Sequence, residues 1–151
     1  MKLILATDHN GVDFKLKLIE LLKDEYEILD ASTDNYDFDD YPDFAFRAAH
    51  LVQKEPDSFG VLICGTGVGM TIAANKVRGI RCALVTSARV ARLARRDDDA
   101  NMIAIDSIME PGFAAECIRI FTSTEFCTTE ERYDRRKKKV IDYENGEYNE
   151  L

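Results

Sequence analysis

The chain has 151 residues, 46% hydrophobic and 32% charged, with a formal net charge of -8. That length suits one globular domain, residues 1–151, with room for a sizeable core, and the acidic balance argues against generalised nucleic-acid or anionic-membrane binding, so an anionic ligand would need a local concentration of donors. No apolar run approaches the roughly 18 to 20 residues that cross a bilayer, so neither membrane nor nucleic acid is expected as a partner, and a cytoplasmic location is expected.

Leu3 to Ala6 opens the chain as a short buried strand. It runs into Asp8-His9-Asn10-Gly11, read either as a ligand-binding loop at a strand end or as a loop merely capped by Asp and Asn. Phe14, Leu18, Leu21 and Leu22 then recur at helical spacing, and Ile28-Leu29 makes a second strand. Asp34, Asp37, Asp39, Asp40 and Asp43 crowd the next loop together with Tyr41 and Pro42. The spacing of an EF-hand calcium loop is absent, so a solvated loop with a helix N-cap is expected, followed by a helix through Phe44, Ala48, Leu51 and Val52.

The stretch from Gly60 to Lys76, GVLICGTGVGMTIAANK, is the most informative. An apolar strand ends in Cys64, and glycines at 65, 67 and 69 would let successive backbone N–H groups turn inward. A helix then begins, adding partial positive charge, so a thiolate at Cys64 would be stabilised for proton transfer or attack on a carbonyl. The alternative is a buried strand-end cysteine beside a tight turn. A dinucleotide fingerprint fails because Met70 stands at its last glycine, and the P-loop pattern is missing. A cysteine phosphatase loop fails too, since Met70 also occupies the position of its phosphate-binding arginine.

Cys82 to Val85 and Met102 to Ile105 are two further strands, with helical spacing at Val90, Leu93 and Ala94 between them. Arg92, Arg95 and Arg96 precede Asp97, Asp98 and Asp99, which reads simply as a salt-bridged helix end. Helices are predicted over Pro111 to Thr122 and Glu130 to about Tyr143, and residues 144–151 are expected to fray. In the last helix Arg132, Arg136 and Lys139 share a face and could offer two guanidinium forks to a phosphate. A solvated face and a weak RNA patch remain as alternatives, the latter lacking stacking aromatics apart from Tyr133. Strand and helix alternate throughout, which implies a doubly wound α/β sheet whose carboxyl edge carries Thr7 to Asn10, Cys64 to Gly69 and Thr86-Ser87. The four cysteines, Cys64, Cys82, Cys117 and Cys127, lack a C-x-x-C pair and read as reduced thiols, and with two histidines no metal site is expected.

Taken together, DHNG at 8 to 11, DYPDFA at 40 to 45, LICGTGVGMTIAANKVRGIRCAL at 62 to 84, Asp99 to Asn101, and the pair Arg132 and Arg136 resemble the ribose-5-phosphate isomerase type B and galactose-6-phosphate isomerase family. The resemblance spans nearly the whole chain. It implies a Rossmann-like three-layer sandwich with a five-stranded parallel sheet and a C-terminal helix. It also implies a homodimer or dimer of dimers with sites between subunits, and aldose–ketose isomerisation of a phosphosugar without metal or cofactor. By resemblance Cys64 is the base, Thr66 assists at the substrate oxygens, and backbone amides of Gly65, Gly67, Val68 and Gly69 stabilise an enediolate. Asp8, His9 and Tyr41 contact substrate, Asn101 belongs to the site, and Arg132 and Arg136 grip the phosphate.

The chain departs from the ribose-5-phosphate type where that type carries a ring-opening histidine and an asparagine: here stand Asp97 and Asp98. Asp97 is then the candidate for ring opening and Asp98 a substrate contact, while Ile108 replaces an arginine. These departures motivate two alternatives, a sugar-phosphate-binding or regulatory subunit and a subunit needing a paralogous partner.

Overall fold

The computed structural model describes residues 1–149. Five strands, β1 (Lys2–Thr7), β2 (Glu27–Asp30), β3 (Ser58–Cys64), β4 (Cys82–Leu84) and β5 (Met102–Asp106), form one parallel sheet in the order β2-β1-β3-β5-β4. The helices are α1 (Val12–Leu22), α2 (Tyr41–Lys54), α3 (Val68–Ala74), α4 (Ala88–Asp98), α5 (Pro111–Ser123) and α6 (Glu131–Glu144).

Alternation within each strand divides the core into two layers. Leu3, Leu5, Val61, Ile63, Ile103 and Ile105 face α1, α4 and α5, where they meet Phe14, Leu18, Ala94, Ile118 and Phe121. Ile4, Ala6, Leu62, Met102 and Ala104 face the other way onto α2 and α3, against Phe44, Ala48, Met70 and Ala74. Helices on both faces explain why the strands read as continuous apolar runs, and they make the expected three-layer sandwich. Strand β3 begins at Ser58, earlier than its apolar run, because it pairs with β1 from there, Lys2 opposite Ser58 and Leu3 opposite Phe59.

The sheet places β1 and β3 side by side, and the chain leaves them in opposite directions, towards β2 and towards β5 and β4. The crevice beyond their carboxyl ends is the position where such sheets bind ligands. The short edge strand β4 is protected by Asn75, whose side chain accepts from Cys82 N–H and donates to Cys82 C=O, each at 2.8 Å.

Helix α6 lies across the other end. Its Tyr133 is buried, Lys137 Nζ stands 3.5 Å from Asp99, and Glu144 accepts from Gly79 N–H at 2.8 Å. Of the segment 144–151 expected to fray, Glu144 ends α6 and Glu147 N–H donates to Asp142 C=O at 2.8 Å, while residues 150 and 151 lie outside the described residues.

Candidate active site

Cys64 is the last residue of β3, 5% exposed, and its Sγ receives the backbone N–H of Gly67 at 3.1 Å. Gly67 makes this possible: its φ of +75° lies in the left-handed region, and a Cβ there would stand 2.6 Å from Leu84 Cδ1. The loop therefore closes tightly over the sulfur. Val68 N–H donates to Thr66 Oγ1 at 3.3 Å, which leaves Thr66 exposed at the start of α3. Gly69, one turn on, has Tyr41 against it; a Cβ would meet the ring at 2.8 Å. Tyr41 is thus a wall of the same crevice, held there by the absence of a side chain at Gly69. Cys82, in contrast, is buried away from this crevice, and burial outweighs a hydrogen bond with Thr71 and pushes its pKa up to about 12, which leaves an inert thiol.

One strand over, β1 runs in register with β3, Thr7 opposite Ile63, so Asp8 follows at the level of Cys64. Thr7 Oγ1 donates to Ile63 C=O at 3.0 Å, and Gly11 packs where a Cβ would lie 2.2 Å from that hydroxyl. Asp8 is 5% exposed and caps the turn at His9–Gly11, accepting from Asn10 N–H at 3.0 Å. His9 follows at the rim, with Nδ1 2.9 Å from Asp39 Oδ1, and its pKa is raised by that hydrogen bond and by the nearby carboxylate of Asp8.

Asp39 corrects the expected solvated loop. It is 4% exposed. Burial pushes its carboxyl up, but hydrogen bonds from Asn35, His9 and Tyr36 outweigh that and hold it below the ordinary aspartate value. Among the other loop aspartates, Asp34 pairs with Arg47 at 2.5 Å, and Asp40 is the α2 N-cap position without a side-chain capping bond. Composition could not separate Asp39 from its four neighbours, since nothing in the sequence marks which of five carboxylates folds inward.

The remaining candidate residues gather elsewhere. Parallel pairing sets Gly60 opposite Met102 and Cys64 opposite Asp106, so Asn101 lies at the amino rim, about 17 Å from Cys64 along the strands. Its amide is engaged there, donating to Gly79 C=O and accepting from Arg81 N–H, both at 2.8 Å. It is not brought to the Cys64 crevice within the chain. The same rim receives the end of α4: Arg96 Nε donates to Asp97 at 2.7 Å, and Arg95 pairs with Asp99 at 2.5 Å, the salt-bridged helix end read from the sequence. Burial, and then the charge of Asp97, raise the pKa of Asp98, with Arg136 opposing. Arg132 Nη2 donates to Tyr133 Oη at 3.1 Å, and Arg136 lines a cavity of about 730 Å³ with Asp98, Lys76 and Arg81. Ile108, by contrast, stands beyond β5 on the carboxyl rim and is 85% exposed.

One chain therefore carries its candidate residues on two opposite rims. The carboxyl rim has a thiol under a backbone N–H, a buried Asp and a His–Asp pair; the amino rim has Arg132 and Arg136 among several arginines, with Asp97 and Asp98. The first suits proton transfer at carbon, and the second suits a polyanion. Among the described residues no three His, Cys, Asp or Glu side chains group as metal ligands, and no helix is long and apolar enough to cross a membrane.

Residues 3–140 match the family model described as Ribose/Galactose Isomerase. The ribose-5-phosphate isomerase B of Mycobacterium tuberculosis (strain CDC 1551 / Oshkosh) is 39% identical over 149 residues, covering 95% of this chain and 90% of that protein. The solved ribose-5-phosphate isomerase B of Clostridium thermocellum superposes with a TM-score of 0.89 at 36% identity, over 97% of this chain and 99% of that one. The Mycoplasma genitalium enzyme, solved with bound ribulose-5-phosphate, superposes with a TM-score of 0.85 at 37% identity, over 95% and 96% of the two chains.

Proposed function

The chain belongs to the ribose/galactose isomerase family, and from that premise we propose that residues 1–151 act as one domain that interconverts an aldose phosphate and its ketose. The observation that carries the reading is the Gly67 N–H on Cys64 Sγ at 3.1 Å, at the switch point of the sheet beside Asp8. That donor fixes the place of the Cys64 sulfur at the carboxyl end of β3, and the thiolate is the form of a cysteine that removes a proton.

In the reaction, Cys64 takes the proton from C2 of the open-chain aldose, and the C–H electron pair moves into the C1–C2 bond as O1 gains negative charge. Backbone N–H groups in the segment Gly65 to Gly69 offset that charge. The Thr66 hydroxyl relays a proton between O2 and O1, and the Cys64 thiol returns its proton to C1, giving the ketose. Asp8, His9 and Tyr41 orient the sugar. Because Arg132 and Arg136 stand on the far rim of the same chain, a second copy supplies them together with Asp97 and Asp98, so the working unit is a homodimer. Mixing Cys64→Ala and Arg136→Ala protomers then regenerates one intact site per heterodimer.

The substrate is a pentose or hexose phosphate. Ribose 5-phosphate is the first to test, given the ribulose-5-phosphate held by the Mycoplasma genitalium relative. Ketose formation from ribose 5-phosphate or an aldohexose 6-phosphate is expected from purified protein; no ketose from any of them overturns the reading.

A second reading, a sugar-phosphate-binding subunit, is favoured by one observation. Asp97, in the place of the ring-opening histidine that the family resemblance implies, is ion-paired to Arg96 at 2.7 Å. An open-chain substrate analogue separates the two, since an isomerase lacking only ring opening still turns it over. Asp97→His should then raise the rate on ring-closed sugars without changing the rate on the analogue.

A further inference from the structure

Resting on the isomerase reading, we propose that Asp39 is a positioning residue of the active site, holding His9 so that its Nε2 is the imidazole atom left to meet an anionic oxygen of the substrate. Four donors converge on the Asp39 carboxylate. His9 N–H at 2.7 Å and His9 Nδ1 at 2.9 Å meet Oδ1; Asn35 Nδ2 at 2.8 Å and Tyr36 N–H at 3.3 Å meet Oδ2. The backbone and the ring of His9 are thus tied to the same oxygen, which fixes the imidazole's placement as well as its hydrogen bond.

An ionised carboxylate only accepts, so Nδ1 carries the hydrogen whenever this bond exists. Nε2 then holds either a lone pair or, in the imidazolium, a second N–H. The charged groups facing the ring are Asp39 from the loop before α2 and Asp8 from its own turn, and both favour the imidazolium. An N–H with a full positive charge behind it is matched to an anionic oxygen rather than to a neutral hydroxyl. Among the described residues nothing bonds Nε2, and the Phe38 ring stands beside the imidazole, tilted 52° with centroids 6.0 Å apart.

The loop is built to deliver this carboxylate. Asp39 N–H donates to Tyr36 C=O at 3.2 Å, closing a turn in which Phe38 takes a φ of +61°, a conformation that a bulky residue rarely adopts. Asn35 ties the arrangement to the catalytic rim through a second bond to Thr7 C=O at 2.9 Å. Both partners of Nδ2 are acceptors, so the amide cannot be turned over, and Asn35 Oδ1 is left buried without a partner. A strained residue and an orphaned acceptor are kept at one place, which marks the turn as serving the site.

The test joins two measurements. Imidazole ¹⁵N shifts of His9, followed against pH in the ligand-free protein, should show Nδ1 protonated at neutral pH and a midpoint that falls in Asp39→Asn. An unchanged midpoint overturns the coupling, and this arm does not depend on the isomerase reading. In the second arm, calorimetric affinity for ribose 5-phosphate should weaken about tenfold in Asp39→Asn, as expected for losing the orientation of a charge-assisted bond. In a His9→Gln background the same substitution should add nothing, because Asp39 acts through His9. Additive losses in the double variant overturn the positioning role, and Asp39→Glu, which keeps the charge, should recover part of the midpoint shift.

Discussion

The backbone N–H of Gly67 donates to Cys64 Sγ at 3.1 Å, a contact that depends on a positive φ at the glycine and on the absence of its side chain. The donor is backbone, so it cannot turn away. The proton transfer proposed for Cys64 depends on this placement.

Gly67→Ala tests it. The new Cβ would stand 2.6 Å from Leu84 Cδ1 and 3.3 Å from the Ile105 carbonyl carbon, in a left-handed conformation. Overpacking and backbone strain together should cost about 2–4 kcal/mol, read as a lowered denaturant midpoint at unchanged m-value. Turnover should fall more than stability alone explains, because relief of the clash moves the N–H off sulfur.

Lys15 should prove a rivet rather than a surface cation. Its side chain is 3% exposed, and Nζ meets Asp30 at 2.9 Å, Ser32 C=O at 2.7 Å and Ser32 Oγ at 2.9 Å, while Ser32 Oγ accepts from Thr7 N–H at 3.0 Å. Lys15→Ala strips one charge from a nearly buried pair and should destabilise the protein by about 2–3 kcal/mol. Lys17→Ala, on the exposed side of α1, should stay within about 0.5 kcal/mol.

The His9–Asp39 pair gives stability a defined pH window. His9 has a raised folded value, so its contribution is complete below the ordinary histidine value of 6.5 and is lost as pH rises through the folded one. Asp39 has a lowered folded value, so its contribution is present above the ordinary 3.8 and disappears as pH falls through the folded one. The Tm difference between wild type and Asp39→Asn should therefore be larger at about pH 5.5 than at about pH 8.5. A constant difference would show that the pair carries no linked proton.

The sheet was legible because its strands are buried on both faces and leave short apolar runs, and every predicted helix formed where its spacing placed it. Cys64 and its glycines were legible because a strand end, a thiol and three glycines fall in a few residues. Asp39 and Lys15 were not. A buried charge looks like a surface charge in sequence, and only the turn at Phe38 and the bonds to Asp30 and Ser32 reveal which one folds inward. The placing of Asn101 at the amino rim was legible as well, since it stands directly before the strand predicted from Met102 in a parallel sheet.

The most direct measurement is proton exchange at C2 by NMR in deuterated water, with a panel of pentose and hexose phosphates, on wild type and Cys64→Ala. Deuterium should enter C2 of at least one sugar with wild type, and exchange should slow by roughly 10²- to 10⁴-fold in the variant, whose circular dichroism should match wild type. Equal exchange in the two proteins, or none with any sugar that binds, would contradict Cys64 as the base of an enediolate isomerase.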